Sequence, residues 1–193
     1  MKMKQLIMKK GLLLFVALLT MNMANAQTKI GSVTLPNSTN FGGEELVLNG
    51  GGIRKKAFFK LYSAGLYLNS KTGDANAIIN ADETMAIKME ITSKLVSSDR
   101  MKSAVNDGFD AAMNGDTSSL SSEIEKFIGF FNDEIVKGNI FDITYQKGRG
   151  AVIYKNGTEL GIIQGMAFKK ALFGIWLGED PADDDLKDGM LGK

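Results

Sequence analysis

Arg54 is the residue of this chain best placed to act on an anion. It opens the cluster Arg54-Lys55-Lys56, and the chain turns aromatic and apolar directly after it. A guanidinium at the rim of an apolar cleft can hold a carboxylate or an enolate through paired N–H donors. Lys55 and Lys56 read as solvated charge at a strand edge. The chain contains no histidine and no cysteine. That excludes disulfides, thiolate nucleophiles, Ser-His-Asp and Cys-His triads, and zinc sites built on those ligands. General acid–base work would fall to Tyr62, Tyr67, Tyr145, Tyr154, a lysine or a carboxylate.

Other candidate sites are weaker. Gly50-Gly51-Gly52 has neither the Gly-Lys-Ser/Thr ending of a P-loop nor the spacing of a dinucleotide fingerprint, so it reads as a turn feeding a strand. Asp180, Asp183, Asp184 and Asp185 lack the spacing of a calcium loop. They read as a solvated C-terminal turn, whose acids suit the start of a short last helix over residues 186–191. No paired carboxylates suggest glycoside hydrolysis. Neither a cofactor nor a metal is expected.

The first 26 residues read as an address label. Lys2, Lys4, Lys9 and Lys10 precede the apolar run Gly11–Leu19, which ends at Ala24-Asn25-Ala26, a small-x-small signal-peptidase pattern. The run falls short of the roughly 20 residues of a membrane-spanning helix. Cleavage before Gln27 would leave one domain, residues 27–193, with 19 basic and 22 acidic residues and a net charge of −3. The expected product is exported, most simply to a periplasm and otherwise secreted, with no stable membrane anchor. Such an acidic domain is not expected to bind nucleic acid.

The elements that must position Arg54 follow from periodicity. Gly31–Leu35 and Glu45–Leu48 read as opening strands. Residues 53–68 read as one long strand, or two hinged at Ser63-Ala64-Gly65, with Phe58, Lys60 and Tyr62 on one face and Phe59 and Leu61 on the other. Met85–Ile91 alternates cleanly. Met101, Val105, Gly108 and Ala112, then Ile124, Phe127, Ile128 and Phe131, recur at helical spacing, and Asp116-Thr117-Ser118-Ser119 between them offers caps. Alternation resumes at Phe141–Tyr145. Asn156-Gly157 predicts a hairpin between 151–154 and 158–163. Phe168–Leu177 reads as a helix stopped by Gly178 and Pro181. This order predicts an α+β fold, with helices packed on one face of an antiparallel sheet.

The segment from Gly52-Ile-Arg54 through Gly65-Leu-Tyr-Leu68 resembles the signature of chalcone isomerase-like proteins, in particular an exported bacterial branch. So do Asn156-Gly157, Gly161–Phe168 and Ala171-Leu-Phe-Gly-Ile-Trp-Leu-Gly178-Glu-Asp-Pro181. The resemblance implies an open-faced β-sandwich: a large antiparallel sheet, a layer of helices and a cleft between them. It places Arg54 in that cleft, either stabilising an enolate, as in the plant enzymes, or pairing with a fatty-acid carboxylate. The enzymes' strand threonine falls on Tyr62. Their helix tyrosine falls near Asp99 or Arg100, their asparagine on Asn106, and a C-terminal hydroxyl residue near Ile175. Arg100 would add a second anion contact. The enzymes' water-organising set is incomplete here. The leading expectation is therefore binding of a small amphipathic anion, a fatty acid or an aromatic acid, by Arg54 and Tyr62. The alternative is an isomerase, an intramolecular lyase acting on a chalcone-like enone with Arg54 as its electrostatic catalyst and Tyr62 as its acid.

Overall fold

A computed structural model describes residues 27–193; the leader assigned to residues 1–26 lies outside the described residues. Seven strands form one antiparallel sheet in chain order. They are β3 (Ser38–Phe41), β4 (Glu44–Lys56), β5 (Phe59–Leu68), β6 (Met85–Ile91), β7 (Ile140–Gln146), β8 (Gly150–Lys155) and β9 (Thr158–Ile163). A separate ribbon, β1 (Gln27–Ile30) and β2 (Val33–Pro36), precedes them. Helix α1 (Ala75–Asn80) follows β5. Helices α2 (Ser98–Ala112) and α3 (Ser121–Gly129) lie between β6 and β7, while α4 (Met166–Leu177) and α5 (Asp184–Met190) close the chain.

The sheet has two unlike faces because its strands alternate. On β6, Met85, Ile87, Met89 and Ile91 join the large core under the helices, while Ala86 belongs to a smaller core on the other face. Lys88 shares that other face and pairs with its cross-strand neighbour Asp142 at 2.8 Å. The smaller core is completed by Ile30, Val33 and Leu35 of the ribbon. In the helical layer, Phe109, Phe127, Phe131, Phe141 and Phe168 form a continuous aromatic cluster, with neighbouring ring centroids 5.3–5.9 Å apart. Each such ring is fully buried, and burial of this kind stabilises the fold by about 1.5–3 kcal/mol per side chain.

Local signals carry much of this. Ser97 caps α2, and Asp74 caps α1 by accepting from the Ala77 N–H at 2.9 Å. Asn156 and Gly157 both have positive φ, 51° and 81°, as a two-residue hairpin turn requires.

Four sequence expectations are corrected. Gly31–Leu35 is a turn entering β2 rather than a single strand, because Gly31 takes a left-handed φ of 65°. Gly50-Gly51-Gly52 lies in the middle of β4 and is not a turn. A Cβ on Gly50 would sit 2.2 Å from the Gly189 carbonyl oxygen, and one on Gly51 2.3 Å from Ile30. The triplet is glycine because α5 presses on one side of the strand and the ribbon on the other. Residues 53–68 are two strands, but the chain turns at Ala57-Phe58 rather than at 63–65. Finally, the pairing Arg54↔Tyr62 is followed by Lys55↔Lys60, which leaves Leu61 as a bulge. The bulge breaks the expected alternation, so that Leu61 and Tyr62, neighbours in sequence, both face the helices.

Candidate functional site

Between the sheet and α2 lies a cavity of about 670 Å³, within the range of small-molecule clefts, roughly 300–1,000 Å³. Leu61 and Tyr62 of β5, Met89 of β6 and Ile143 of β7 form its sheet wall. Met101, Ala104, Val105, Gly108 and Ala111 form the helix wall. Their steps of three and one keep one stripe of α2 toward the sheet. Gly108 also lets α4 approach, since a Cβ there would meet Ile175 at 2.8 Å. The fully buried Phe127 and Phe131 add aromatic edges to the wall, with Ile175 and Trp176 beside them. The lining is mainly apolar. Polar and charged groups come from Arg54, Lys56, Tyr62, Arg100, Ser103, Asp107 and Asp180.

Arg54 and Tyr62 are direct cross-strand partners, so the sheet register itself sets the cation beside the phenol. Arg54 Nη1 donates to the Lys55 carbonyl at 2.6 Å and to Asp183 Oδ2 at 3.2 Å. Its Nη2 and Nε find no acceptor among the described residues, and its side chain is 24 % exposed against 11 % for Asp183. The Tyr62 hydroxyl accepts from Trp176 Nε1 at 3.1 Å and donates to no group among the described residues. Burial raises the Tyr62 pKa, outweighing the Trp176 hydrogen bond and the Arg54 charge, which both act to lower it. The phenol therefore stays protonated at neutral pH and keeps a donor to offer. The two side chains leave unused N–H and O–H donors at the edge of an apolar chamber. That arrangement suits an amphipathic anion.

Asp183 completes the frame. Burial by itself would raise its pKa, but the backbone N–H groups of Lys55 and Leu186 and the Arg54 guanidinium hold it below the usual carboxylate range. It caps α5 through Leu186 N at 3.0 Å and fastens that helix to β4 through Lys55 N, also at 3.0 Å. The expectation of a solvated acidic turn is thus corrected for Asp183. Burial of the α5 apolar face, with Leu186 and Met190 in the core, brings this N-cap onto the strand.

The other predicted residues divide. Arg100 lines the cavity, but its Nη1 donates to the Leu95 carbonyl at 2.9 Å. Asn106 is exposed on α2 and is absent from the lining; the helix phase that turns Val105 and Gly108 inward turns it out. Ile175 lines the cavity as an apolar residue. Tyr67, Tyr145 and Tyr154 lie elsewhere: Tyr67 bonds the Pro36 carbonyl, Tyr145 bonds Asp82, and Tyr154 accepts from Gln146. Trp176 and Asp183 were not singled out as site residues by the sequence reading. Trp176 lies in a recognised motif, but its bond to Tyr62 spans 114 positions, and the Asp183–Arg54 contact spans 129. No local pattern carries such pairings. No cluster of acidic side chains suited to a metal occurs among the described residues.

The family model for chalcone isomerase-like proteins matches residues 27–192. The chain belongs to that family. Among solved structures it is similar to a fatty-acid binding protein of Arabidopsis thaliana, with a TM-score of 0.70 and 16 % identity, over 86 % of this chain and 96 % of that one. The likeness establishes a shared fold. No curated protein sequence matches the chain.

Proposed function

We propose that this protein binds a small amphipathic anion, a fatty acid or an aromatic acid, with its tail in the apolar cavity and its charged head on Arg54 and Tyr62. One observation carries the reading: the unused Arg54 N–H groups and the unshared Tyr62 O–H stand on adjacent strands beside a mainly apolar chamber. The Arabidopsis protein of the same fold, named for fatty-acid binding, supports the choice of ligand class. Titration with a fluorescent fatty acid tests it. Arg54→Ala should weaken binding by about 10- to 100-fold, the worth of a charge-assisted contact. Equal affinity of the variant and the wild type would sink the proposal. Turnover of a chalcone panel above buffer, lost in Arg54→Ala, would favour an intramolecular lyase instead.

The same protein is proposed to be exported, with cleavage between Ala26 and Gln27. The lysine-flanked apolar run and the small residues before Gln27 support this, and the family match begins at residue 27. Intact mass of the protein recovered from its host checks it, since a chain retaining residues 1–26 would contradict cleavage.

A further inference from the structure

The turn between β4 and β5 carries the sequence Lys55-Lys56-Ala57-Phe58-Phe59-Lys60. Phe58 is 98 % exposed and Phe59 is 56 % exposed. Four large apolar side chains stand exposed among the described residues: Phe58, Phe59, Leu95 and Val136. Phe59 and Leu95 line the cavity, and Phe58 is the next residue in the turn, so three of the four gather at the cavity mouth. Scattered single exposures need no explanation, but a cluster at the entrance of an apolar chamber does.

The charges of the turn itself, Lys55, Lys56 and Lys60, share one sign. Lys55 and Lys60 are direct cross-strand partners, and like charges placed opposite each other destabilise a sheet. The nearby acids do not relieve the whole group. Asp183 is engaged by Arg54 and Asp185 by Lys55, whereas Lys56 and Lys60 take part in none of the ion pairs among the described residues. The turn also holds Ala57 at a φ of 52°, a left-handed conformation that costs a residue with a Cβ. An exposed aromatic tip, repelling lysines and a strained alanine all cost stability in water. Against a layer of anionic headgroups over hydrocarbon, the first two become favourable.

We infer that the Phe58–Phe59 turn is a membrane-docking tip, which inserts its aromatic rings into an anionic lipid surface and seats its lysines on the headgroups. Docking places the cavity mouth, through Lys56, Phe59 and Arg54, against the lipid from which an amphipathic anion would enter or to which it would return. The association is peripheral and reversible, since two rings and a few lysines fall far short of a spanning helix. This role for the tip rests on the ligand-binding reading above, but its own test is separate.

The test is flotation of purified protein, residues 27–193, with vesicles of phosphatidylcholine alone or mixed with phosphatidylglycerol, at low and high salt. The wild type should float with the phosphatidylglycerol vesicles, less so at high salt, and only weakly with pure phosphatidylcholine. Phe58→Ser should lower the partition coefficient by about tenfold. Lys60→Gln should lower it by roughly fivefold, the share of one basic residue near an anionic surface. Both side chains lie outside the cavity lining, so both variants should keep wild-type fatty-acid affinity in vesicle-free solution. Arg54→Ala should show the converse, with affinity lost and flotation largely kept. A wild type that fails to float with any vesicle overturns the inference and leaves the tip to a protein partner. Equal flotation of the wild type and Phe58→Ser overturns it too. If Arg54→Ala keeps its fatty-acid affinity, the ligand-binding reading fails, whatever the flotation result.

Discussion

Two cations, Arg54 and Lys169, are held at opposite extremes of satisfaction. Lys169 has no exposed surface, and its ammonium donates to the carbonyls of Ile78, Ile79 and Ala81, each at 2.8 Å. Those oxygens lie at the end of α1, where helix carbonyls run short of partners, although Ile78 also accepts from the Ala81 N–H at 3.3 Å. Three donors meet three acceptors, and the rings of Tyr145 and Phe173 lie 5.5 Å away. Nothing is left over. Arg54 has one nitrogen engaged and two without partners among the described residues, at the edge of a cavity. The closed cation is a structural rivet, and the open one is suited to a ligand.

The comparison breaks first at Lys169. Lys169→Ala would remove three hydrogen bonds from carbonyls at the buried end of α1, two of them only part-buried, and should cost about 3 kcal/mol of stability, lowering Tm by roughly 10 °C. Thermal unfolding followed by circular dichroism measures this. A large effect on ligand affinity without loss of stability would undo the contrast. Arg54→Ala should do the reverse, changing stability by less than about 1 kcal/mol while affinity collapses.

Gly50→Ala should come next. Its methyl group would collide with the α5 backbone and cost about 2 kcal/mol in denaturant titrations. Because α5 carries Asp183, ligand affinity should change as well, which would tie the site to the docking of that helix. Asp183→Asn removes the charge that competes for Arg54 while keeping one oxygen for the cap. It should tighten binding of an anion by about fivefold, equivalent to about 1 kcal/mol. Weaker binding would mean that Asp183 serves the site by orienting Arg54 rather than by competing for it.

A further effect is one of pH. Burial lowers the Lys169 pKa from 10.5 to about 8. Between those values the unfolded chain retains a proton that the native protein has released, so stability from this group rises with pH across that window. Wild-type stability measured relative to Lys169→Met should therefore increase between about pH 7 and about pH 9.5. A difference that falls over this interval would show that the three carbonyls hold the ammonium charged despite its burial.

Much of the frame was legible because its signals are local. The alternation of Met85–Ile91, the Asn156-Gly157 turn and the stripe of α2 each depend on residues a few positions apart. Arg54 was legible as a candidate because a basic residue opens an aromatic run. Tyr62 emerged from the family resemblance, but the alternation used for its strand put Phe59 and Leu61 on the face opposite to it. The Leu61 bulge reverses that placement, and a one-residue slip in register moves every following side chain to the other face. Lys169, beside Lys170 in a mainly apolar helix, gave no sign of its partners 88–91 positions earlier.

The sequence by itself determined the α+β class, much of the order of strands and helices though not β1, β3 or α1, and a chemistry limited to cations, phenols and carboxylates. Those follow from composition and short-range periodicity. Only the tertiary structure decided which cation is open and which is closed. That depends on which acceptors distant segments bring within hydrogen-bond reach, from α1 around Lys169 and from α5 around Arg54. It also decided that the glycine triplet is a landing for α5 and the ribbon rather than a turn. Close approach between remote backbones leaves no periodic trace, only the absence of a side chain.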